Sequence, residues 1–464
     1  MKKISPGQPV SILANLGVLV GIIAAASLSG VADSAPNILL IIGDDMGVET
    51  LASYGLGENP PKTTALDELA REGVRFNNFW AQPVCSPTRA TLMTGRYGFR
   101  TGIGRPVGGS VMPDPPEIPA WAPAESAGAV NAASAADRAL PRPFLLPEEF
   151  TLPMALKANS DLRYSTAAIG KWHLAGDGNG WIDHPNLAGF DYFAGLMGGA
   201  PESYFAWNKV VNGEVIGKVG YTPADKVDDA IAWVNDQEGP WFLWLAFNAP
   251  HTPLHLPPEG LHRHDNLTGT EADIAQRPRE YFGAMIEAMD SEIGRLWDTI
   301  GPEVMANTDV IYLGDNGTGR TNAPAGVSTR SNKGSLYEGG IHVPLVIAGP
   351  SVVDGGREVE GLVDLTDIYA TVVELAGGDV ESTVPAEVEV DSVSLVPYLV
   401  DPQAGSQRPW AFSLLVGGGG RPGNMNTRGY TIRDDRYKLI RFINETEEFY
   451  DLQADPQERS NLAA

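Results

Sequence analysis

The stretch NILLIIGDD, Asn37 to Asp45, decides the fold. From Ile38 to Ile42 the run is apolar without a break, where a half-buried strand would alternate. That is the pattern of a strand covered on both faces, as in a parallel sheet. Three later runs read the same way: Trp241–Phe247 (WFLWLAF), Asp309–Leu313 (DVIYL) and Val343–Ile347 (VPLVI). Between them the apolar positions fall at helical spacing in Thr64–Glu72 (TALDELARE, followed by Gly73), Ala224–Asn235, Arg277–Ile300 and Leu365–Leu375. The alternation predicts an α/β fold: a mostly parallel central sheet with helices on both faces.

Outside this alternation the chain changes character three times. Lys2 and Lys3 precede an apolar stretch from Val10 to Ala26, and small residues run on through Ala32, Ser34 and Ala35. This layout predicts a secretory signal over residues 1–35, with export to the periplasm or medium and no stable membrane insertion after cleavage; a retained anchor is the competing reading. Arg105 to Pro147 is dense in Pro, Ala, Gly and Ser without period, and reads as a long insertion at the surface. Near the end, Tyr430–Ile432, Tyr437–Phe442 and Glu448–Leu452 are short and separated by turn residues, which predicts antiparallel strands. The expected division is a signal at 1–35, a catalytic α/β domain at 36–375 and a small C-terminal antiparallel-sheet subdomain at 376–464.

Composition narrows the function. The 464 residues include 33 Lys+Arg and 58 Asp+Glu, a net charge of −25. So acidic a chain lacks the clustered bases that nucleic acid or anionic lipid demands, so neither is expected as a partner. The 53 Gly and 36 Pro show no G-X-Y period and indicate loops, not a fibre. Cys85 is the only cysteine, which excludes an internal disulfide and argues against a thiolate zinc site.

The chemistry-bearing residues sit where such sheets place their ligands, at the carboxyl ends of strands. Asp44 and Asp45 follow the first strand directly, and Asp315-Asn316 follow DVIYL between Gly314 and Gly317. Alone, the first pair suits a loop or a helix cap, and DNG suits a tight turn. Together they offer four oxygen-bearing side chains from two strand ends, a set for a hard cation such as Ca²⁺ or Mg²⁺ and not for zinc. In Cys85-Ser86-Pro87-Thr88-Arg89, Ser86 is a good N-cap and Pro87 fits the first helical position, with Gly95 as terminator. On that reading Cys85 lies just ahead of a short helix whose positive end favours negative charge at residue 85, and Arg89 adds a fixed cation. The bland alternative for a free thiol is a small buried core residue.

With these residues in place the sequence resembles the sulfatase family, whose C-x-P-x-R motif is where a Cys is oxidised to formylglycine. The likeness runs in the family's order through NILLIIGDDMG, PVCSPTRATLMTGRY, GKWHLAG, APHTPLH, YLGDNG, NKGSLYEGGIHVPLVIAGP, DSVSLVPYL and EFYDLQADPQERSNL, from about Asn37 to Leu462. The resemblance implies an alkaline phosphatase-like fold and hydrolysis of an aryl or carbohydrate sulfate ester. It implies one divalent cation, Ca²⁺ before Mg²⁺, held by Asp44, Asp45, Asp315 and Asn316 with the oxidised Cys85 side chain. It further implies Arg89 steadying the formylglycine, Lys171 and His173 beside the nucleophile, His251 and Lys333 facing the sulfate and leaving group, and a formylglycine-generating enzyme as maturation partner. Singly, Lys171 suits a helix cap, His173 and His251 suit core histidines, and Lys333 suits a solvated loop charge.

The implied reaction uses a geminal diol at position 85. One hydroxyl attacks sulfur in line with the ester oxygen, and His251 with Lys333 protonates the departing alcohol. His173 then takes the proton of the second hydroxyl as C–O cleavage expels sulfate and restores the aldehyde. Two features depart from the family pattern: His342 stands where many relatives have Arg, expected to be a difference near the substrate or one layer behind it, and the Arg105–Pro147 insertion aligns with nothing. His255 is weighed as a pocket residue against a surface one. Arg96, Arg100 and Arg105 are candidates for a local basic patch. The competing activities are a formylglycine-dependent phosphonate or phosphate ester hydrolase, and a sulfate-ester binding protein in which Cys85 stays a thiol.

Overall fold

The computed structural model describes residues 35–108, 110–126, 144–158, 164–322, 332–416 and 428–463. Residues 1–34 of the expected signal and residues 109 and 127–143 of the expected insertion lie outside the described residues. Among the described residues no helix is long and apolar enough to cross a membrane.

A ten-stranded sheet forms the body. In spatial order its strands are Arg357–Val359, Val74–Phe76, Leu345–Ala348, Thr308–Gly314, Asn37–Gly43, Trp241–Ala246, Ser165–Lys171, Tyr192–Leu196, Ala206–Val211 and Glu214–Val219. The five from Thr308–Gly314 to Tyr192–Leu196 are mutually parallel. On one side the sheet continues with Leu345–Ala348, which runs antiparallel, and on the other with the Ala206–Val211 and Glu214–Val219 hairpin. VPLVI is therefore a buried strand that starts two residues and ends one residue later than expected, and it runs antiparallel to its neighbour Thr308–Gly314.

The unbroken apolar run of the first strand has a direct cause. Ile38, Leu40 and Ile42 join one core with Phe242, Trp244, Ile311, Leu92, Ile368 and Val372. Leu39 and Ile41 join the opposite core with Leu243, Leu245, Tyr312, Leu66, Met285 and Met289. Successive side chains of a strand point to opposite faces, so both sets must be apolar when helices cover both. Each fully buried Ile or Leu contributes about 1.5–3 kcal/mol of transfer free energy, which fixes this strand at the centre and its carboxyl end as a rigid platform. Helices Cys85–Thr94, Leu152–Ala158 and Asp367–Leu375 supply the first core, and Thr64–Glu72, Thr222–Asn235 and Pro278–Ile300 the second.

The C-terminal strands Gly429–Arg433, Tyr437–Phe442 and Glu447–Asp451 form the expected antiparallel sheet, with a fourth strand, Ala411–Leu415, at its edge. Residues 376–400 instead carry two short helices, Val380–Thr383 and Val396–Val400. The described parts of the insertion form no helix or strand beyond one bridge, Glu125 to His255.

Candidate active site

Register builds the site. Asn37–Gly43 and Thr308–Gly314 pair residue for residue up to Gly43 opposite Gly314, so both acidic pairs leave the sheet side by side. The Asp315 amide donates to the Gly43 carbonyl at 3.0 Å, and the Asp45 amide donates to Asp315 Oδ1 at 3.1 Å. The turn after Asn316 is tight enough that a Cβ at Gly317 would lie 1.9 Å from the Gly339 carbonyl oxygen.

Cys85 enters from the helix side. Helix Cys85–Thr94 begins at Cys85 itself, with Val84 at the N-cap, so Ser86 does not cap it and Pro87 is third in the helix. The Ser86 hydroxyl is spent elsewhere: it donates to the His173 carbonyl and accepts from the Val107 amide, both at 2.9 Å. That ties the helix to the His173 loop and to the start of the insertion. Cys85 Sγ lies 3.5 Å from Asp44 Oδ1 and 3.4 Å from Lys333 Nζ.

The expected stabilisation of negative charge at this sulfur is corrected by its surroundings. Burial, and then the Asp44 carboxylate, push the Cys85 thiol up to about 12, outweighing Lys171 and Lys333. Arg89 is fully buried, and its guanidinium is engaged by Asp315 Oδ2 (3.0 Å) and the Lys171 carbonyl (2.8 Å). As a thiol, residue 85 is a poor nucleophile.

The basic side chains interleave with the acidic ones. Lys171 ends the Ser165–Lys171 strand and pairs with Asp44 Oδ2 at 2.5 Å, and Lys333 pairs with Asp45 Oδ1. Burial works to raise the Asp45 carboxyl, but Lys333, His251 and the bonds from Lys333 and Asn316 together hold it well below the usual carboxylate range. Asp315 is raised to about 6 by burial and then by Asp44, against the pull of Arg89 and Lys171. Lys333 stays firmly protonated, because Asp45 and the neighbouring anionic groups outweigh its burial.

Two histidines complete the arrangement. His251 Nε2 is 4.0 Å from Asp45 Oδ2, while Nδ1 is 2.7 Å from the Thr252 carbonyl, which assigns the ring proton to Nδ1. Burial and the Lys333 charge lower His251 to about 4. His173 Nε2 bonds the Val107 carbonyl at 3.0 Å, leaving the buried Nδ1 without a partner among the described residues. Burial, then Lys171 and Arg89, hold His173 well below its ordinary value. Gly199 makes room for this ring: a Cβ there would lie 2.7 Å from His173 Cε1.

The donor set fits a hard cation. Ligand atoms of Asp44, Asp45, Cys85 and His251 lie within 4.8 Å of one another. Asn316 donates its amide to Asp45 Oδ1 (2.8 Å) and the Gly317 carbonyl, yet its buried Oδ1 accepts nothing from the described residues, an orphan acceptor of the kind a cation would satisfy. Three carboxylates already face three bases here, so a bound divalent cation would leave the site net positive and receptive to an anion.

All ten expected site residues lie together, and two other expectations, for His255 and for a basic patch of Arg96 and Arg100, fail. His255 neither faces the sulfate pocket nor reaches the surface: it is fully buried among Tyr204, Phe205 and Tyr221. His342 spends its ring on the Asn77 carbonyl (2.9 Å) and Glu338 (3.6 Å). Arg96 and Arg100 form no basic patch, because they are neutralised by Glu149 and by Asp391 with Glu389. Sequence reasoning also missed Ser86, the Val107 carbonyl, and Thr88, whose hydroxyl donates to the Asp315 carbonyl at 2.6 Å. Only Thr88 and Ser86 had a signal, their place inside the Cys85 motif.

Fold and site together define an alkaline phosphatase-like α/β protein with a buried cluster of interleaved acidic and basic side chains at its strand ends. The chain belongs to the sulfatase family: a sulfatase model matches residues 36–378, and a model of the N-sulphoglucosamine sulphohydrolase C-terminal region matches residues 330–464. Among curated relatives, arylsulfatase J of Mus musculus is 26% identical over 373 residues, covering 76% of this chain and 54% of its own length. N-acetylgalactosamine-6-sulfatase of Homo sapiens is 29% identical over 398 residues, covering 80% and 66%. Ps i-CgsB, solved in complex with k-i-k-neocarrahexaose, shares the fold with a TM-score of 0.70 at 23% identity, covering 92% of this chain and 89% of that one. BT4656, solved with D-glucosamine-2-N,6-O-disulfate, does so with a TM-score of 0.67 at 21% identity, covering 93% and 94%.

Proposed function

We propose that the protein is an exported sulfuric ester hydrolase that releases inorganic sulfate from a carbohydrate or aryl sulfate, with residue 85 oxidised to formylglycine by a maturation enzyme that supplies the oxidant. The observation that carries this is the position of Cys85 Sγ against Asp44 and Lys333, in a pocket where an unmodified thiol is held protonated. A hydrated aldehyde there supplies an oxygen nucleophile that the thiol does not, and a Ca²⁺ ion on Asp44, Asp45, Asp315 and Asn316 supplies charge for the sulfuryl oxygens.

The chain's own residues do the rest. Lys171 and Lys333 present ammonium groups to an anionic ester, and their carboxylate partners fix where those charges sit. Arg89 locks Asp315 to the end of the Lys171 strand, so the two strand-end pairs keep their spacing. On this reading Lys333, whose ammonium stays protonated, supplies the proton to the departing oxygen, and neutral His251 presents its bare Nε2 to the same side to orient that oxygen's proton. His173, with Nδ1 unpartnered among the described residues and its other nitrogen held by Val107, takes the proton released from residue 85.

The relatives named for arylsulfate and N-acetylgalactosamine-6-sulfate hydrolysis support a sulfate ester as substrate, and the N-terminal Lys-Lys and apolar run support export. The test is mass analysis of the Cys85 peptide from protein made with a formylglycine-generating enzyme, alongside rates on matched aryl sulfate and aryl phosphonate. An aldehyde at 85 with preference for the sulfate is expected. A dominant phosphonate rate would reassign the activity, and full activity with an unmodified thiol would overturn the nucleophile.

A further inference from the structure

Ser86 is fully buried and spends both sides of its hydroxyl on the surroundings of one base. It donates to the His173 carbonyl and accepts from the Val107 amide, each at 2.9 Å, and the Val107 carbonyl in turn meets His173 Nε2 at 3.0 Å. One side chain next to residue 85 thus holds the backbone of His173 directly and its ring through Val107. A carbonyl only accepts, so Nε2 carries the ring proton and Nδ1 is left bare.

His173 is a residue that needs holding. Its φ is +58°, in the left-handed region that a residue with a side chain adopts only under constraint. Its amide donates to the Met197 carbonyl at 3.2 Å, and Gly199 leaves the ring its space. The insertion grips the same loop from both of its described ends. Beyond Val107 the Ser110 hydroxyl donates to Asp177, and from the far end the Leu145 amide donates to the Leu174 carbonyl at 3.0 Å. Asn179 closes the join by donating to the Leu145 and Leu174 carbonyls at 2.8 and 3.1 Å.

We propose that Ser86, acting through Val107, is the positioning residue for the second half of the reaction, in which His173 takes a proton and sulfate leaves residue 85. This rests on the sulfatase reading above. In that half the free hydroxyl of residue 85 gives its proton to His173 Nδ1, the O–H electron pair becomes the second bond of the aldehyde, and the C–O bond to sulfate breaks with its pair leaving on the sulfate. The first half, in which the ester S–O bond breaks, does not use this base. A base misplaced by about 1 Å loses about a hundredfold in rate, so releasing the clamp slows one half and spares the other.

The experiment compares wild type, Ser86→Ala, Ser86→Thr and Gly199→Ala on p-nitrophenyl sulfate, with rates expressed per mole of formylglycine measured by mass. Since kcat/KM reports only steps up to the first irreversible one, Ser86→Ala should lower kcat and KM together, by about 10- to 100-fold, and leave kcat/KM within about twofold. Nitrophenol should then appear as a burst of one equivalent, and the residue 85 peptide from quenched enzyme should carry the added mass of a sulfuryl group. Ser86→Thr keeps the hydroxyl and should recover most of kcat. Gly199→Ala lies outside the maturation motif and should give the same burst, because its Cβ would lie 2.7 Å from His173 Cε1. Independently of turnover, side-chain nitrogen NMR of the unoxidised thiol protein should show His173 as the Nε2–H tautomer in wild type and as a mixture in Ser86→Ala. A wild-type kcat in either Ala variant, a fall of kcat/KM in step with kcat and no burst, or an unchanged tautomer in Ser86→Ala overturns the clamp. Absence of sulfate ester turnover in wild type that carries formylglycine would instead refute the sulfatase reading.

Discussion

His255 gives a pH-dependent stability that can be worked out in advance. Its ring is fully buried, 4.2 Å from the Tyr204 ring and 5.3 Å from Phe205, with Nδ1 at 3.0 Å from the Pro253 carbonyl and Nε2 at 3.4 Å from the Tyr221 hydroxyl. The groups facing it are the neutral phenols of Tyr204 and Tyr221 and, across a backbone bridge, Glu125. Burial lowers His255 from 6.5 to about 3, against a weaker opposing pull from the Pro253 carbonyl. For a base whose folded value is depressed, stability is fully present above about pH 6.5 and is lost as pH falls toward 3, since the unfolded chain takes up the proton first. At ~1.4 kcal/mol per unit, the loss reaches about 3 kcal/mol at pH 4.5. His255→Phe keeps a flat, slightly larger ring but strands the Pro253 carbonyl and the Tyr221 hydroxyl, costing about 1–2 kcal/mol at neutral pH. The variant should therefore be the less stable protein at pH 7.5, match wild type near pH 5.5 and exceed it at pH 4.5. Urea unfolding of both across that range measures this directly. Two curves that run parallel would refute the neutral, buried assignment of the ring.

Cys85→Ala should retain the fold, within about 1.5 kcal/mol of wild type, because it removes one small side chain; sulfate release should vanish, and a residual rate near one hundredth of wild type or above would remove residue 85 as nucleophile. Arg89→Met should cost about 3–5 kcal/mol, since it leaves buried Asp315 and the Lys171 carbonyl without their shared partner. Arg89→Lys should recover only part of this, because one ammonium lacks the fork that reaches both acceptors. Guanidinium midpoints decide the matter, and a loss below about 1 kcal/mol for the Met variant would mean that the strut is dispensable.

What the sequence disclosed followed from how each signal arises. The Asn37–Gly43, Trp241–Ala246 and Thr308–Gly314 strands were legible because burial on both faces forces an unbroken apolar run. The Thr64–Glu72 helix emerged with its exact ends, since Gly73 stops it. Ser165–Lys171 (STAAIGK) escaped notice: it is small and mixed in composition, and neighbours pack so closely there that a Cβ at Gly170 would strike the Ala246 carbonyl at 1.9 Å. The Glu214–Val219 edge strand was equally invisible, being mostly exposed. At the site, side-chain identities were readable from the motifs, whereas the partners of Arg96, Arg100, His255 and His342 depend on long-range packing that no local pattern encodes.

The C-terminal sheet, expected as a small subdomain from residue 376 on, packs against the segments that carry Cys85 and Lys333. Leu415, Ile440, Phe442, Tyr450 and Leu452 share one apolar cluster with Val84 and with Leu336 and Tyr337. Val84 immediately precedes Cys85, and Leu336 lies three residues after Lys333. The Gly334 amide donates to the Pro83 carbonyl at 2.8 Å, so the two segments are already joined on the site side. From behind, Leu414 donates its amide to Gln82 Oε1 at 3.0 Å and Ser413 its hydroxyl to the Ala81 carbonyl at 3.0 Å. Fully buried Lys438 meets Glu338 at 2.9 Å and Glu458 at 2.8 Å. Such a buried charge set contributes little net stability but fixes one arrangement, since any other would strand a charge. The 3.4 Å approach of Lys333 to Cys85 is thus backed by residues eighty or more positions beyond Lys333, so the sheet packs as one body with the segments that carry both side chains.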